Sequence, residues 1–176
     1  MPPIDESTPV RSGSEASDAA RPALWKIILR EGSLYFASDD GYLYCLDADD
    51  GSLQWRFWAP PEERKPYRVL GNVRLISRWA ARGGPVLKDG TIYFGCGLWP
   101  SEGVYVCAVD AESGELQWRS KSLGYIKNGL VDHSARRDVG LVPTGYLAVA
   151  GERLIVPAGR ALPAIFSRDS GRMEPY

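Results

Sequence analysis

Val104-Tyr105-Val106-Cys107-Ala108-Val109-Asp110-Ala111-Glu112-Ser113-Gly114-Glu115-Leu116-Gln117-Trp118-Arg119 joins two β-prone runs through a turn, and the chain carries this pattern more than once. The apolar run is nearly continuous, as in a strand buried on both faces. In the turn, the Asp110 carboxylate can accept backbone N–H groups and Gly114 can supply positive φ. Leu116–Arg119 then reads as an outer strand carrying a large aromatic. An earlier copy, Tyr42-Leu43-Tyr44-Cys45-Leu46-Asp47-Ala48-Asp49-Asp50-Gly51-Ser52-Leu53-Gln54-Trp55-Arg56, keeps Asp47, Gly51 and Trp55 at the same spacing. A weaker third copy, Ala164-Ile165-Phe166-Ser167-Arg168-Asp169-Ser170-Gly171-Arg172-Met173, keeps Gly171, has Ser167 in place of Asp, and has Pro175 where the Trp would stand.

Each copy extends upstream. Leu34-Tyr35-Phe36, Ile92-Tyr93-Phe94 and Leu154-Ile155-Val156 follow leading glycines Gly32, Gly90 and Gly151, which lie 58 and 61 residues apart. Before each glycine stands another β-prone run, at Leu24–Leu29, Gly84–Leu87 and Tyr146–Val149, joined through Arg30-Glu31-Gly32, Lys88-Asp89-Gly90 or Ala150-Gly151-Glu152 as a hairpin. The unit is four antiparallel strands, the make-up of a propeller blade. The sequence predicts an all-β fold: a partial β-propeller of about three blades in an open arc, at approximately 23–57, 84–119 and 144–176. Strands are expected near 24–29, 33–38, 42–47, 52–57, 84–88, 91–96, 103–109, 115–119, 145–150, 153–157 and 163–167. Closed propellers use about four to eight blades. The chain therefore reads as a fragment whose first partners are the remaining blades of the same full-length protein.

Composition limits the function classes. Lys and Arg number 21 against 22 Asp and Glu, a balance that leaves no footprint for nucleic acid or an anionic membrane surface. No apolar stretch is long enough to span a membrane as a helix. Residues 1–22 are rich in Ser, Glu, Asp, Pro and Ala and read as a disordered lead-in rather than a signal peptide. Cys45, Cys96 and Cys107 are too few and too scattered for a disulfide framework and read as small buried hydrophobes.

The run Ala108-x-Asp110-x-x-Ser113-Gly114-x-x-x-Trp118 resembles the pyrroloquinoline-quinone-type propeller repeat, whose tryptophan docks onto the neighbouring blade. The resemblance covers roughly residues 24–176, with the first copy departing at Cys45 and Asp50 and the third at Ser167 and Pro175. It implies the fold. It spans quinone-dependent alcohol dehydrogenases, an outer-membrane assembly lipoprotein and many uncharacterised bacterial propellers, so function rests on the site. It also implies an exported or periplasmic location.

Blade topology places a candidate surface. The strand one-to-two and three-to-four turns are tight, whereas Trp58–Gly83, Gly97–Glu102, Ser120–Thr144 and Gly159–Pro163 hold the extra length and share the opposite end. That end carries Arg74, Arg78, Trp79, Arg82, Trp99, Glu102, His133, Arg136, Arg137 and Arg160. Arginine forks and aromatic faces suit a protein or saccharide ligand. The alternative is that the arginines pair with local carboxylates and that Trp79 packs between blades. His133 is the sole histidine, and its sequence neighbours Asp132 and Ser134 do not make a triad. No catalytic residue and no resident cofactor or metal site is expected in this chain. The reading is a binding scaffold rather than a complete enzyme. The alternative is a fragment of a quinone-dependent dehydrogenase, whose quinone, calcium and vicinal disulfide would lie in other blades.

Overall fold

The opening hairpins of the first two blades are set by turns in which both central residues take positive φ, the geometry whose twist matches that of paired strands. Glu31 and Gly32 have φ 51° and 77°, and Asp89 and Gly90 have 49° and 74°. The structure is a computed structural model and describes residues 27–71, 74–121, 123–132, 135–159 and 161–175. The lead-in at 1–22 and the start of the first expected strand lie outside the described residues.

Among the described residues, seventeen strands follow in chain order. The first sheet is β1 (Ile28–Arg30), β2 (Ser33–Ala37), β3 (Tyr42–Asp47) and β4 (Leu53–Trp58), paired in that order and antiparallel throughout. A crossover with β5 (Arg68–Gly71), β6 (Arg74–Ser77) and β7 (Gly83–Gly84) leads to the second sheet of β8 (Val86–Lys88), β9 (Thr91–Cys96), β10 (Tyr105–Asp110) and β11 (Leu116–Arg119). A second crossover holds β12 (Ile126–Asp132), β13 (Ala135–Val139) and β14 (Gly145–Tyr146). The third sheet is β15 (Ala148–Ala150), β16 (Arg153–Ala158) and β17 (Ala161–Ser167). A single bridge, Phe166 to Met173, stands where its outer strand would begin. No α-helix occurs among the described residues, and the sheets form an open array of propeller blades.

Two expectations need correction. The crossovers 58–83 and 120–144 are not bare loops, since each contains an antiparallel hairpin, β5–β6 and β12–β13. The expected single strands at 84–88 and 145–150 are each broken. Pro85 has no N–H to give a ladder, so β7 and β8 are separate. Instead β7 pairs in parallel with β14, Gly83 opposite Gly145 and Gly84 opposite Tyr146, tying consecutive blades together near their first strands. A Cβ on Gly84 would meet the Tyr146 ring at 2.3 Å, so the ring packs on bare backbone.

The hydrophobic core lies between blades. Along β9 and β10 successive side chains serve opposite clusters: Ile92, Phe94, Cys96, Tyr105, Cys107 and Val109 face the first blade, while Tyr93, Val106 and Ala108 face the third. That two-sided burial is why these runs carry no polar alternation. Cys96 pairs with Tyr105, and Cys107 with Phe94, so the two cysteines are not opposite each other. All three cysteines are free and buried, and burial pushes the Cys107 thiol up to about 12.

Candidate functional site

The repeat residues build the joints between blades. Asp110 Oδ1 accepts the N–H groups of Glu112 and Ser113 at 3.0 and 2.8 Å, and these bonds hold its carboxyl below the usual range, with the Ser113 N–H the main cause. Asp47 accepts from Asp49 and Asp50 in the same way. The Trp55 indole lies against Gly114 of the next blade, where an added Cβ would meet the ring at 2.7 Å, and its Nε1 donates to Ala111 O at 3.2 Å. Trp118 repeats the contact on Gly171, with 2.3 Å to a Cβ and 2.6 Å from Nε1 to Arg168 O. Both indoles are half-buried.

At the crossover end, part of the candidate set is drawn into the framework. Arg78 Nη1 pairs with Glu102 Oε2 at 3.0 Å, and its guanidinium lies 5.4 Å from the Tyr67 ring centroid. Trp79 is 2% exposed, donates Nε1–H to Glu102 O at 3.0 Å and meets Trp58 edge-on. Arg82 Nε bonds Asp39 Oδ1 at 3.1 Å, with the Asp39 side chain 1% exposed. These three residues lock the first crossover to the Pro100–Glu102 turn and to the β2–β3 connection. Trp99 opens that turn and is 43% exposed.

The second crossover closes on the same turn. Leu123 N–H donates to Val104 O and Leu141 N–H to Leu123 O, while Gly124 and Gly140 leave room for Pro100. From this base β12 and β13 run as an antiparallel hairpin beside β17, with Arg136 opposite Leu130 and Arg137 opposite Gly129. Asp138 accepts the Asn128 N–H and the Tyr125 hydroxyl, which hold its carboxyl below the usual range. Arg74 sits opposite Gly71 in the first hairpin. His133 and Arg160 lie outside the described residues.

One feature went unread in the sequence. A cavity of about 320 Å³ opens at the opposite end, among the tight turns, between the first and second blades. Glu31, Tyr35, Gln54, Asp110, Ala111 and Glu112 help to line it. The signal was present in the third copy, where Arg168 stands at the position that Ala48 and Ala111 hold in the others.

Comparison with known proteins places this geometry. The chain is 36% identical over 93 residues to the dehydrogenase subunit of the quinone alcohol dehydrogenase of Gluconobacter oxydans, covering 50% of this chain and 11% of that protein. It is 31% identical over 111 residues to quinohemoprotein alcohol dehydrogenase ADH-IIG of Pseudomonas putida, covering 62% and 13%. Among solved structures, BamB from Moraxella catarrhalis superposes with TM-score 0.58 at 14% identity, over 91% of this chain and 39% of that one. Quinohemoprotein alcohol dehydrogenase from Comamonas testosteroni superposes at 0.55 with 19% identity, over 84% and 26%. At these identities the superpositions show the fold. The chain spans less than a seventh of the length of the Gluconobacter and Pseudomonas dehydrogenases.

The three cysteines are not adjacent in sequence, and among the described residues no three His, Cys, Asp or Glu side chains converge as metal ligands. The family model described as outer membrane protein assembly factor BamB matches residues 10–172, and the chain belongs to that family of propeller repeats.

Proposed function

We propose that this chain is a non-catalytic propeller segment whose crossover end binds a protein or saccharide partner, with further blades completing the propeller. The observation that carries the reading is the display of apolar side chains on the crossovers. Leu70 and Leu75, paired across β5–β6, are 77% and 60% exposed, and Tyr67, Trp99 and Tyr125 are exposed on the same set of connections. Monomeric proteins rarely leave such groups together in water without a partner. Arg74, His133, Arg136, Arg137 and Arg160 belong to this end by sequence position and would supply its charge. The BamB family supports an exported location. No helix among the described residues is long and apolar enough to cross a membrane.

The test is site-specific photo-crosslinking from positions 70 and 125 in the full-length protein within its native cells. One discrete adduct from both positions, lost in Leu70→Asp/Leu75→Asp with the circular dichroism spectrum unchanged, is the expected result. Adducts confined to the protein itself would overturn the reading. The dehydrogenase names of the relatives favour a second reading, a piece of a quinone enzyme. Dye-linked alcohol oxidation by the chain supplied with pyrroloquinoline quinone and calcium would establish it.

A further inference from the structure

The two blade joints share a plan and differ in what fills the cleft: the Tyr35 hydroxyl donates to Ala111 O at 3.2 Å at the first, whereas an arginine side chain enters at the second. At the joint between the second and third blades, Arg168 lies in the inter-blade cleft with its side chain 11% exposed. Its Nε donates to Tyr93 OH at 3.3 Å, Nη1 to Gly151 O at 3.0 Å and Nη2 to Asp89 Oδ2 at 2.8 Å. The guanidinium carbon is 5.8 Å from the Tyr93 ring centroid. At the joint between the first and second blades the corresponding residue is Ala111, and the space is the 320 Å³ cavity.

Strand register makes the correspondence residue by residue. Ser33 pairs with Asp47 and Thr91 with Asp110, so Glu31 and Asp89 occupy the same place in their hairpin turns, as do Tyr35 and Tyr93 one strand on. The tyrosines keep the same pose: Tyr35 is 5.9 Å from Trp55 at 44°, and Tyr93 is 6.0 Å from Trp118 at 42°. The acidic positions are also prepared alike. Asp89 Oδ1 holds Lys88 at 3.1 Å while Oδ2 takes Arg168. Glu31 Oε1 holds Arg30 at 3.0 Å, and its Oε2 has no partner among the described residues. Asp110 and Glu112 add carboxylates to the opposite wall, against the single cation Arg30.

We infer that the cleft beside Ala111 is a binding site for the guanidinium of an arginine side chain presented by a peptide partner. A planar fork matches a carboxylate oxygen and a phenol, as Arg168 does at the next joint, and a tyrosine face adds cation–π attraction. The occupant is a polypeptide arginine because a polypeptide arginine is what fills the equivalent space one blade on. This site is at the turn end and is independent of the crossover surface above.

The test uses the full chain and the capped pentapeptide Gly-Gly-Arg-Gly-Gly, followed by NMR titration of the tyrosine ring signals. One saturable site is expected. The same peptide with citrulline, which keeps the shape and loses the charge, should bind at least about tenfold more weakly. Ala111→Arg, which supplies the group from within, should abolish the saturable shift while the unfolding midpoint holds or rises. Arg168→Ala should open a second cleft, raising the count from one site to two, and added peptide should recover part of the lost unfolding midpoint. Equal binding of the citrulline peptide, unchanged binding by folded Ala111→Arg, or a single site in Arg168→Ala would each overturn the inference. Tighter binding of agmatine than of the peptide would overturn the assignment to a polypeptide arginine.

Discussion

The turn that joins the third and fourth strands of the first blade and its counterpart in the second are the same backbone in different surroundings. Gly51 and Gly114 have φ 75° and 74°, and each follows an aspartate whose carboxylate caps the turn. Around a Cβ at Gly51 nothing stands within 4 Å, whereas at Gly114 the Trp55 ring stands at 2.7 Å. Glycine is therefore required twice over at Gly114, by the left-handed backbone and by the indole, and only once at Gly51. A repeat position thus carries two physical demands that sequence similarity merges, and neighbouring blades separate them.

The docks can be broken first at the indole. Trp118→Ala removes a half-buried ring and the bond to Arg168 O, and should lower unfolding free energy by about 3 kcal/mol in denaturant titration. An effect under about 1 kcal/mol would mean that the blades are held by their cores alone. The glycines sharpen the contrast. Gly114→Ala should cost about 2–3 kcal/mol, combining positive-φ strain with displacement of the ring, while Gly51→Ala should cost about 1 kcal/mol from strain alone. Equal losses would remove the indole from the explanation. A lock that involves no dock sets the scale between them. Arg82→Ala takes an ion-pair partner from the enclosed Asp39 carboxylate and should cost about 2 kcal/mol by the same titration.

The smallest effect is acidic. Asp110 has its folded-state pKa depressed, so its capping contribution is present above the unfolded value of about 3.9 and fades as pH falls through the lower folded value. Asp110→Asn should flatten that acid limb of the stability curve and leave the difference between Gly51→Ala and Gly114→Ala unchanged. Stability profiles that run parallel for the two proteins from neutral pH down through the acid limb would show that the cap is idle.

The blades were legible in sequence because their constraints are local and repeated. The Asp-x-x-x-Gly turn and the two-sided apolar runs of β9 and β10 each announce a strand end or a buried strand within ten residues. The crossovers were not legible in this way. β5–β6 and β12–β13 have mixed polarity, and what stabilises their bases is remote: Pro100 seated against Gly124 and Gly140, and Glu102 holding both Arg78 and Trp79. In the candidate set, residue type identified arginines and aromatics at the crossover end, but partner choice separated framework Arg78, Trp79 and Arg82 from exposed Trp99. The cleft at Ala111 escaped notice because an absence, a small residue where another copy has a long one, has no propensity of its own.

Each indole reaches forward along the chain, and this gives assembly a clock. Trp55 is made 56 residues before the carbonyl of Ala111 that it bonds. At ribosomal rates of about 5–20 residues per second, the first blade waits roughly 3–11 s with its apolar face and indole unmet. Trp118 waits in turn for Arg168, 50 residues later. Every newly made blade is thus a temporary client of its successor, and anything that stalls synthesis between Trp55 and Ala111 prolongs the interval in which the nascent chain is sticky.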